Sequence, residues 1–228
     1  MQAGIIGKVD GGFSSLESSS NIGEENDSDL RYSFQITRNF HLEDGTPVYE
    51  GEAALEVVEE QESVEIDSKT GDISVTSSNV TRGKYSQFFV IPDTIMLVGS
   101  SDGTFAFDLL QTIKPGVSVS RAQIDLNEYA SKYYSSTEVE PWQVGFYGNI
   151  GQAEKGVVYG ENVVSDDEVG DTLDRSQINQ FGMILPVDEK ELKITVTESG
   201  YIEVYQPSNY GTKQFAEYLI DDLTQHIE

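Results

Sequence analysis

Val64-Glu65-Ile66-Asp67-Ser68-Lys69-Thr70-Gly71-Asp72-Ile73-Ser74-Val75 is the stretch that decides the fold class. Val64 and Ile66 alternate with polar residues on one side, and Ile73 and Val75 do so on the other. That is the period-two pattern of strands, and the tetrad Ser68-Lys69-Thr70-Gly71 between them carries a turn glycine. The spacing predicts a β-hairpin, and with it an antiparallel sheet.

Working outward, residues 53–58 put Ala54, Leu55, Val57 and Val58 on one helical face and leave the glutamates on the other. Their β-branched members keep both helix and strand open. Upstream, Tyr32, Phe34 and Ile36 alternate with Ser33, Gln35 and Thr37, which predicts a half-buried strand. Glu43-Asp44-Gly45-Thr46-Pro47 predicts a turn. A short strand is expected over Gly4 to Val9. Residues 14–29 (SSLESSSNIGEENDSD) are polar and acidic, and read as a solvated loop or disordered segment.

Two later stretches look alike. Phe88–Ile91, Ile95–Val98, Gly103-Thr104 and Phe105–Leu110 form one series. Leu192–Val196, Tyr201–Tyr205, Gly211-Thr212 and Phe215–Leu219 form the other. Each predicts strand, turn, strand, helix, and the Gly-Thr pairs lie 108 residues apart. Thr104 and Thr212 are placed to cap their helices. Phe105, Leu109 and Ile113 make one apolar stripe; Phe215, Leu219, Leu223 and Ile227 make the other. Asp221 and Asp222 fall in the last turns, where the macrodipole disfavours negative charge. The substitution Asp222→Lys is therefore expected to stabilise the chain in dilute buffer.

Between the two series, a strand is expected from Val117 towards Ile124 and a short helix over Asn127–Tyr134. Strands are expected at Trp142–Gly148, Gly156–Gly160 and Phe181–Val187, with an acidic loop at Ser165–Asp174. The sum is an α+β fold: an antiparallel-dominated sheet, or sheets, with two or three helices packed on one face and an internal duplication of a ββα unit. Two halves are drawn at 1–116 and 117–228, or the chain forms one continuous domain. A twice-repeated sheet-plus-helix half resembles in outline the saddle of the TATA-binding protein. The resemblance is one of topology; that family's sequence signature is absent here, and its activity is not carried over.

Charge narrows the function classes. The 228-residue chain has 40 Asp and Glu against 14 Lys and Arg, a formal net charge of −26. Self-repulsion on that scale opposes the compact state. Molar salt relieves it, because the Debye length falls to about 3 Å. The acids are spread along the chain, as adaptation to a salty solvent requires. Against this, Lys outnumbers Arg nine to five. The basic residues never cluster beyond Arg82-Gly83-Lys84, which disfavours direct binding to nucleic acid.

With no Cys, thiolate chemistry is excluded. His41 and His226 stand far apart and suggest no catalytic arrangement. Asp166–Asp174 fails the register of a calcium loop, since Gly170 falls at its fifth position. Phosphate-loop and dinucleotide motifs are absent. No catalytic or metal residue and no cofactor is expected. Tyr129, Tyr133, Tyr134, Trp142 and Tyr147 crowd mid-chain and are the candidate interaction residues. The expected function is a non-enzymatic interaction, regulatory or assembly component of a salt-adapted (halophilic) archaeal organism or its virus, working through a protein partner. The alternatives are a metal-dependent hydrolase built from scattered acids, and an acidic nucleic-acid mimic. The start of the sequence lacks an apolar secretory core, and no run is long enough to span a bilayer. The expected location is the cytoplasm or a virion.

Overall fold

In the computed structural model β1 (Ala3–Asp10) runs down the middle of a twelve-stranded sheet. The structure describes residues 1–25, 28–134, 136–150, 153–173, 175–187 and 190–228. The other strands are β2 (Ser19–Glu25), β3 (Ser28–His41), β4 (Pro47–Ile66), β5 (Ile73–Ile91), β6 (Ile95–Val98), β7 (Ser118–Arg121), β8 (Glu140–Ile150), β9 (Ala153–Tyr159), β10 (Gln177–Val187), β11 (Lys190–Thr197) and β12 (Tyr201–Gln206). The helices are α1 (Phe105–Ile113), α2 (Leu126–Tyr134), α3 (Asp167–Leu173) and α4 (Thr212–Tyr218). Spatial order is β2-β3-β4-β5-β6-β1-β12-β11-β10-β8-β9, with β7 also paired to β1. Every described pairing is antiparallel. The fold is α+β, as expected.

Two hairpins flank β1. β5–β6 lies on one side, with Ile5 opposite Val98. β11–β12 lies on the other, with Ile5 opposite Tyr201. Both β6 and β12 run antiparallel to β1, so they run parallel to each other. A helix follows each hairpin, on opposite faces of the sheet. Alternation along the strands decides this. Ile5, Phe88, Val90, Met96 and Val98 pack with Phe107 and Leu110 of α1. Ile6, Phe89, Ile91, Ile95 and Leu97 pack with Tyr129 of α2 and with Phe215 and Leu219 around α4. Leu173 of α3 joins this second cluster.

Three helices therefore share a face, and α1 takes the other. This corrects the expectation of helices on one face. Like-directed hairpins on either side of β1 lead their helices to opposite surfaces, and the saddle outline ends at the same point. Gly7 of β1 makes room for α1: a Cβ there would lie 2.8 Å from the ring of Phe107 and 2.7 Å from Val119.

Other local readings also change. The segment read as a polar loop contains β2, held by main-chain pairing to β3 from Ser19↔Phe34 to Glu25↔Ser28. Backbone hydrogen bonds do not require apolar side chains, so composition missed it. Residues 53–58 are strand. The acidic loop is α3, with the Asp166 carboxylate accepting the Val169 N–H at 3.1 Å; Asp174 lies outside the described residues.

The threonine caps are not made. Thr104 Oγ1 donates back to the Ser101 carbonyl. Gly211 is the N-cap of α4, where Gln214 Oε1 accepts its N–H, and Thr212 Oγ1 donates to Glu50 at 2.8 Å. The C-terminal helix passes from α4 into a π turn, Leu219–Leu223, and a 3-10 turn, Thr224–His226. Its stripe still points inward, with Phe215, Leu219 and Leu223 each 0 % exposed.

Candidate functional site

The hairpin that opened the sequence is much longer than its turn region suggested. β4 and β5 stay in register from Tyr49↔Val90 out to Ile66↔Ile73. The pairing of β3 with β4 stops at Tyr32↔Leu55, and that of β5 with β6 starts at Phe88↔Val98. Among the described residues, the outer part of the hairpin is thus a bare two-stranded ribbon. Residues 59–79 are exposed on both faces, save for a half-covered position at Val80 just beyond them. Eight residues from Glu59 to Ile66 reach roughly 26 Å, at about 3.3 Å per residue.

The ribbon turn is well made. Asp67 Oδ1 accepts the N–H groups of Lys69 at 2.8 Å and Thr70 at 2.9 Å. These bonds hold its carboxyl below the usual carboxylate range. Val64 pairs with Val75 and Ile66 with Ile73. Directly opposed residues share a face, as do residues two apart. All four side chains therefore cluster on one face of the tip, and each is more than half exposed.

The two strands of the ribbon differ in charge. β4 carries Glu56, Glu59, Glu60, Glu62 and Glu65. From Ile73 to Pro92 there is no acid at all, in a chain that has 40. Arg82 reaches across to Glu59 at 3.7 Å. At the root of the ribbon lies a groove of ≈ 640 Å³, lined by Arg31, Tyr32, Ala54, Leu55, Glu56 and Gly83 among others. Space above Gly83 is open, with nothing within 4 Å of where a Cβ would stand. The pair Glu56↔Gly83 falls on the same face as Val64 and Ile66.

The expected aromatic set does not gather into one surface. Tyr129 is 0 % exposed, and its hydroxyl bonds that of Tyr218. Tyr133 is buried beside it, ring centroids 5.3 Å apart. Both belong to the core and offer no surface to a partner, because the 3.6-residue spacing that put them on one face turned that face inward. Tyr134 and Tyr147 are partly exposed, and the Tyr147 hydroxyl donates to Glu198 at 2.9 Å.

Trp142 lies near two rings, Tyr159 with centroids 6.3 Å away and Tyr205 with centroids 5.8 Å away. Lys193 Nζ stands 4.3 Å over its ring centroid. A Cβ at Gly182 would come within 2.9 Å of the indole. Tyr159 belongs to the same mid-chain aromatic run as Trp142, whereas Tyr205 comes beside it through the pairing of β10, β11 and β12.

A polar network closes the α2–α4 contact. Tyr133 Oη donates to Asp222 Oδ1 at 3.2 Å, and Lys132 Nζ donates to the same oxygen at 2.5 Å. His226 is buried, with Nδ1 3.1 Å from Glu128 Oε2; His41 is exposed. Burial pushes the phenols of Tyr129 and Tyr218 well above their ordinary range. Burial, then Asp222, does the same for Tyr133. These groups stay protonated and bonded to one another, which suits a structural clasp. Beside them a cleft of ≈ 350 Å³ is walled by Glu43, Asp44, Glu217, Asp221 and Asp222. Among the described residues no three His, Asp or Glu side chains are grouped so as to hold a metal ion, and no helix is long and apolar enough to cross a membrane.

Compared with protein-family models and with curated proteins, the chain matches none.

Proposed function

We propose that this protein is a non-enzymatic interaction or assembly component that works through its β4–β5 ribbon. One observation carries the reading: an ordered two-stranded arm presents four clustered apolar side chains to solvent. An isolated ribbon of this kind is marginal in water, and exposed apolar clusters mark contact surfaces. The partner is a protein, since the chain's −26 charge repels nucleic acid and anionic membrane alike. The same charge supports a working solvent of high salt, in a halophilic host or its virus.

Support for the internal duplication comes from the paired hairpins and their helices. A half-turn about the direction of β1 would carry β6 towards β12 and β5 towards β11 and exchange the faces on which α1 and α4 lie, as a duplicated unit requires.

The test is amide exchange on isotope-labelled protein, alone at low concentration and then in native host extract at molar KCl. Amides of 59–66 and 73–84 on the ribbon's outer edges exchange freely alone and become protected in extract. Unchanged exchange in the extract would sink the reading.

A further inference from the structure

We infer that this protein pairs with a second copy of itself along the open edge of β5, strand against strand, about a two-fold axis at Asn79. The inference rests on the interaction reading above and names its partner. The edge is open: β6 stops pairing at Phe88↔Val98, and among the described residues no strand lies on that side of β5 from Ile73 to Tyr85. Its bonding groups point the same way. The Asp67 N–H donates to the Asp72 carbonyl at 2.8 Å, so the even-numbered residues of β5 turn their backbone groups to β4 and the odd-numbered ones turn theirs outward. Gln87, an odd position, accordingly accepts the Gly99 N–H on the outer side. Unpaired edges of this kind are templates for another strand.

Charge selects this edge. Residues 73–92 are the longest acid-free run in the chain, and that is the stretch a second molecule of charge −26 can approach. The β4 edge is unsuited. It carries Glu56, Glu59, Glu60, Glu62 and Glu65, and the Glu56 carboxylate already accepts the Arg31 N–H at 2.9 Å.

Self-complementarity selects the copy. Laid antiparallel on itself about Asn79, β5 sets Ile73 opposite the second copy's Tyr85 and Val75 opposite its Gly83, all on one face. Ile73, Val75 and Tyr85 are each more than half exposed, and nothing stands within 4 Å of where a Gly83 Cβ would be. On the other face Lys84 falls opposite the second copy's Ser74, with Asp72 next along that face and Glu65 across from Ser74 on β4. One end of the strand supplies what the other end lacks, on both faces, as an isologous contact requires. Each copy spends its one open β5 edge, so the assembly stops at a dimer. Molar salt strengthens it by screening the repulsion between the two copies.

Sedimentation velocity on the purified full chain in molar KCl tests this. The parent passes from monomer to dimer as concentration rises and forms nothing larger. Thr81→Pro removes an outward N–H and leaves the bonds to β4 in place. Val75→Glu puts a carboxylate on the acid-free strand. Circular dichroism and melting at monomeric concentration confirm that each variant folds, and each weakens dimerisation by more than about tenfold. Position is read by cross-linking. The chain has no Cys, so Asn79→Cys and Thr76→Cys each carry a single thiol. A short bis-maleimide joins two copies through Cys at 79. It does not do so at 76, where the two thiols stand roughly 20 Å apart, six residues out of register at about 3.3 Å each.

A parent that stays monomeric at every concentration overturns the inference. So do species that grow beyond a dimer, variants that associate like the parent, and cross-linking that fails at 79 or is equal at 76. If the parent is monomeric alone while its ribbon is protected in host extract, another protein pairs with the edge. The interaction reading then stands and the self-pairing inference falls.

Discussion

The inner and outer halves of the β4–β5 hairpin are built from the same two strands, but Phe88–Ile91 inside is apolar at every position while the outer residues alternate. Inside the sheet, Val48, Ala53 and Phe88 to Ile91 are fully covered. Outside it, Val64, Ile66, Ile73 and Val75 are open to water. Alternation specifies a strand with one apolar face. It does not specify whether the surface that covers that face belongs to the same chain.

The sharpest test of this contrast is Phe88→Ala. Phe88 is 0 % exposed and stacks on Phe34 with ring centroids 4.2 Å apart. Its loss should cost about 3–5 kcal/mol of folding stability, read from urea denaturation. A cost under about 1 kcal/mol would mean that the inner half is not the anchor of the hairpin.

Tyrosines extend the comparison between covered and open surface. Tyr129 and Tyr218 are held protonated by burial, whereas the unfolded chain ionises them near pH 10. Their folded values are raised, so the associated stability is present below about pH 10 and is lost as pH rises beyond it. Unfolding midpoints should be level up to about pH 9 and fall steeply above pH 10. Tyrosinate absorbance should then appear in step with unfolding. Ionisation of all twelve tyrosines before the fold is lost would contradict the buried clasp.

Asp222→Lys is a smaller effect, and its sign has reversed. Asp222 accepts from both Lys132 and Tyr133. Lysine there would set two ammonium groups together and leave the Tyr133 hydroxyl without that acceptor. We expect a loss of up to about 1 kcal/mol in dilute buffer, the range for part-exposed pairs, shrinking in molar KCl. Stabilisation in a thermal melt would show that the helix dipole outweighs the pair.

Smallest is Ile66→Ala, 68 % exposed on the ribbon tip. Monomer stability should move by no more than about 0.5 kcal/mol. A core-sized loss measured at monomeric concentration would mean that the tip folds against its own molecule.

Much of the sheet was legible, β3 and the tip hairpin from period-two patterns, and β1, β5–β6, β8 to β12 from short apolar runs bounded by turn residues. β2 was not, since its pairing with β3 uses backbone groups that composition does not register. The C-terminal stripe was read correctly as buried, yet its passage through a π turn left no trace in residue spacing. Of the candidate aromatics, periodicity identified the shared face of Tyr129 and Tyr133 but could not tell core from surface. The ribbon residues were in view from the start and were read as an alternating β-hairpin. Their exposure follows from where β3 and β6 stop pairing, and that is a property of the assembled sheet.

The central position of β1 bears on how the chain is made. Its edges are filled by β6 and β7, and then by β12, whose Glu203 lies opposite Ala3. On the ribosome β1 emerges about two hundred residues before the strand that completes it. Throughout that interval the nascent chain holds an unsealed strand edge at what will become the middle of the sheet. Closure of that seam is a long-range event, slow by its contact order. Until it happens, the half-built sheet is exposed to pairing with a neighbouring chain.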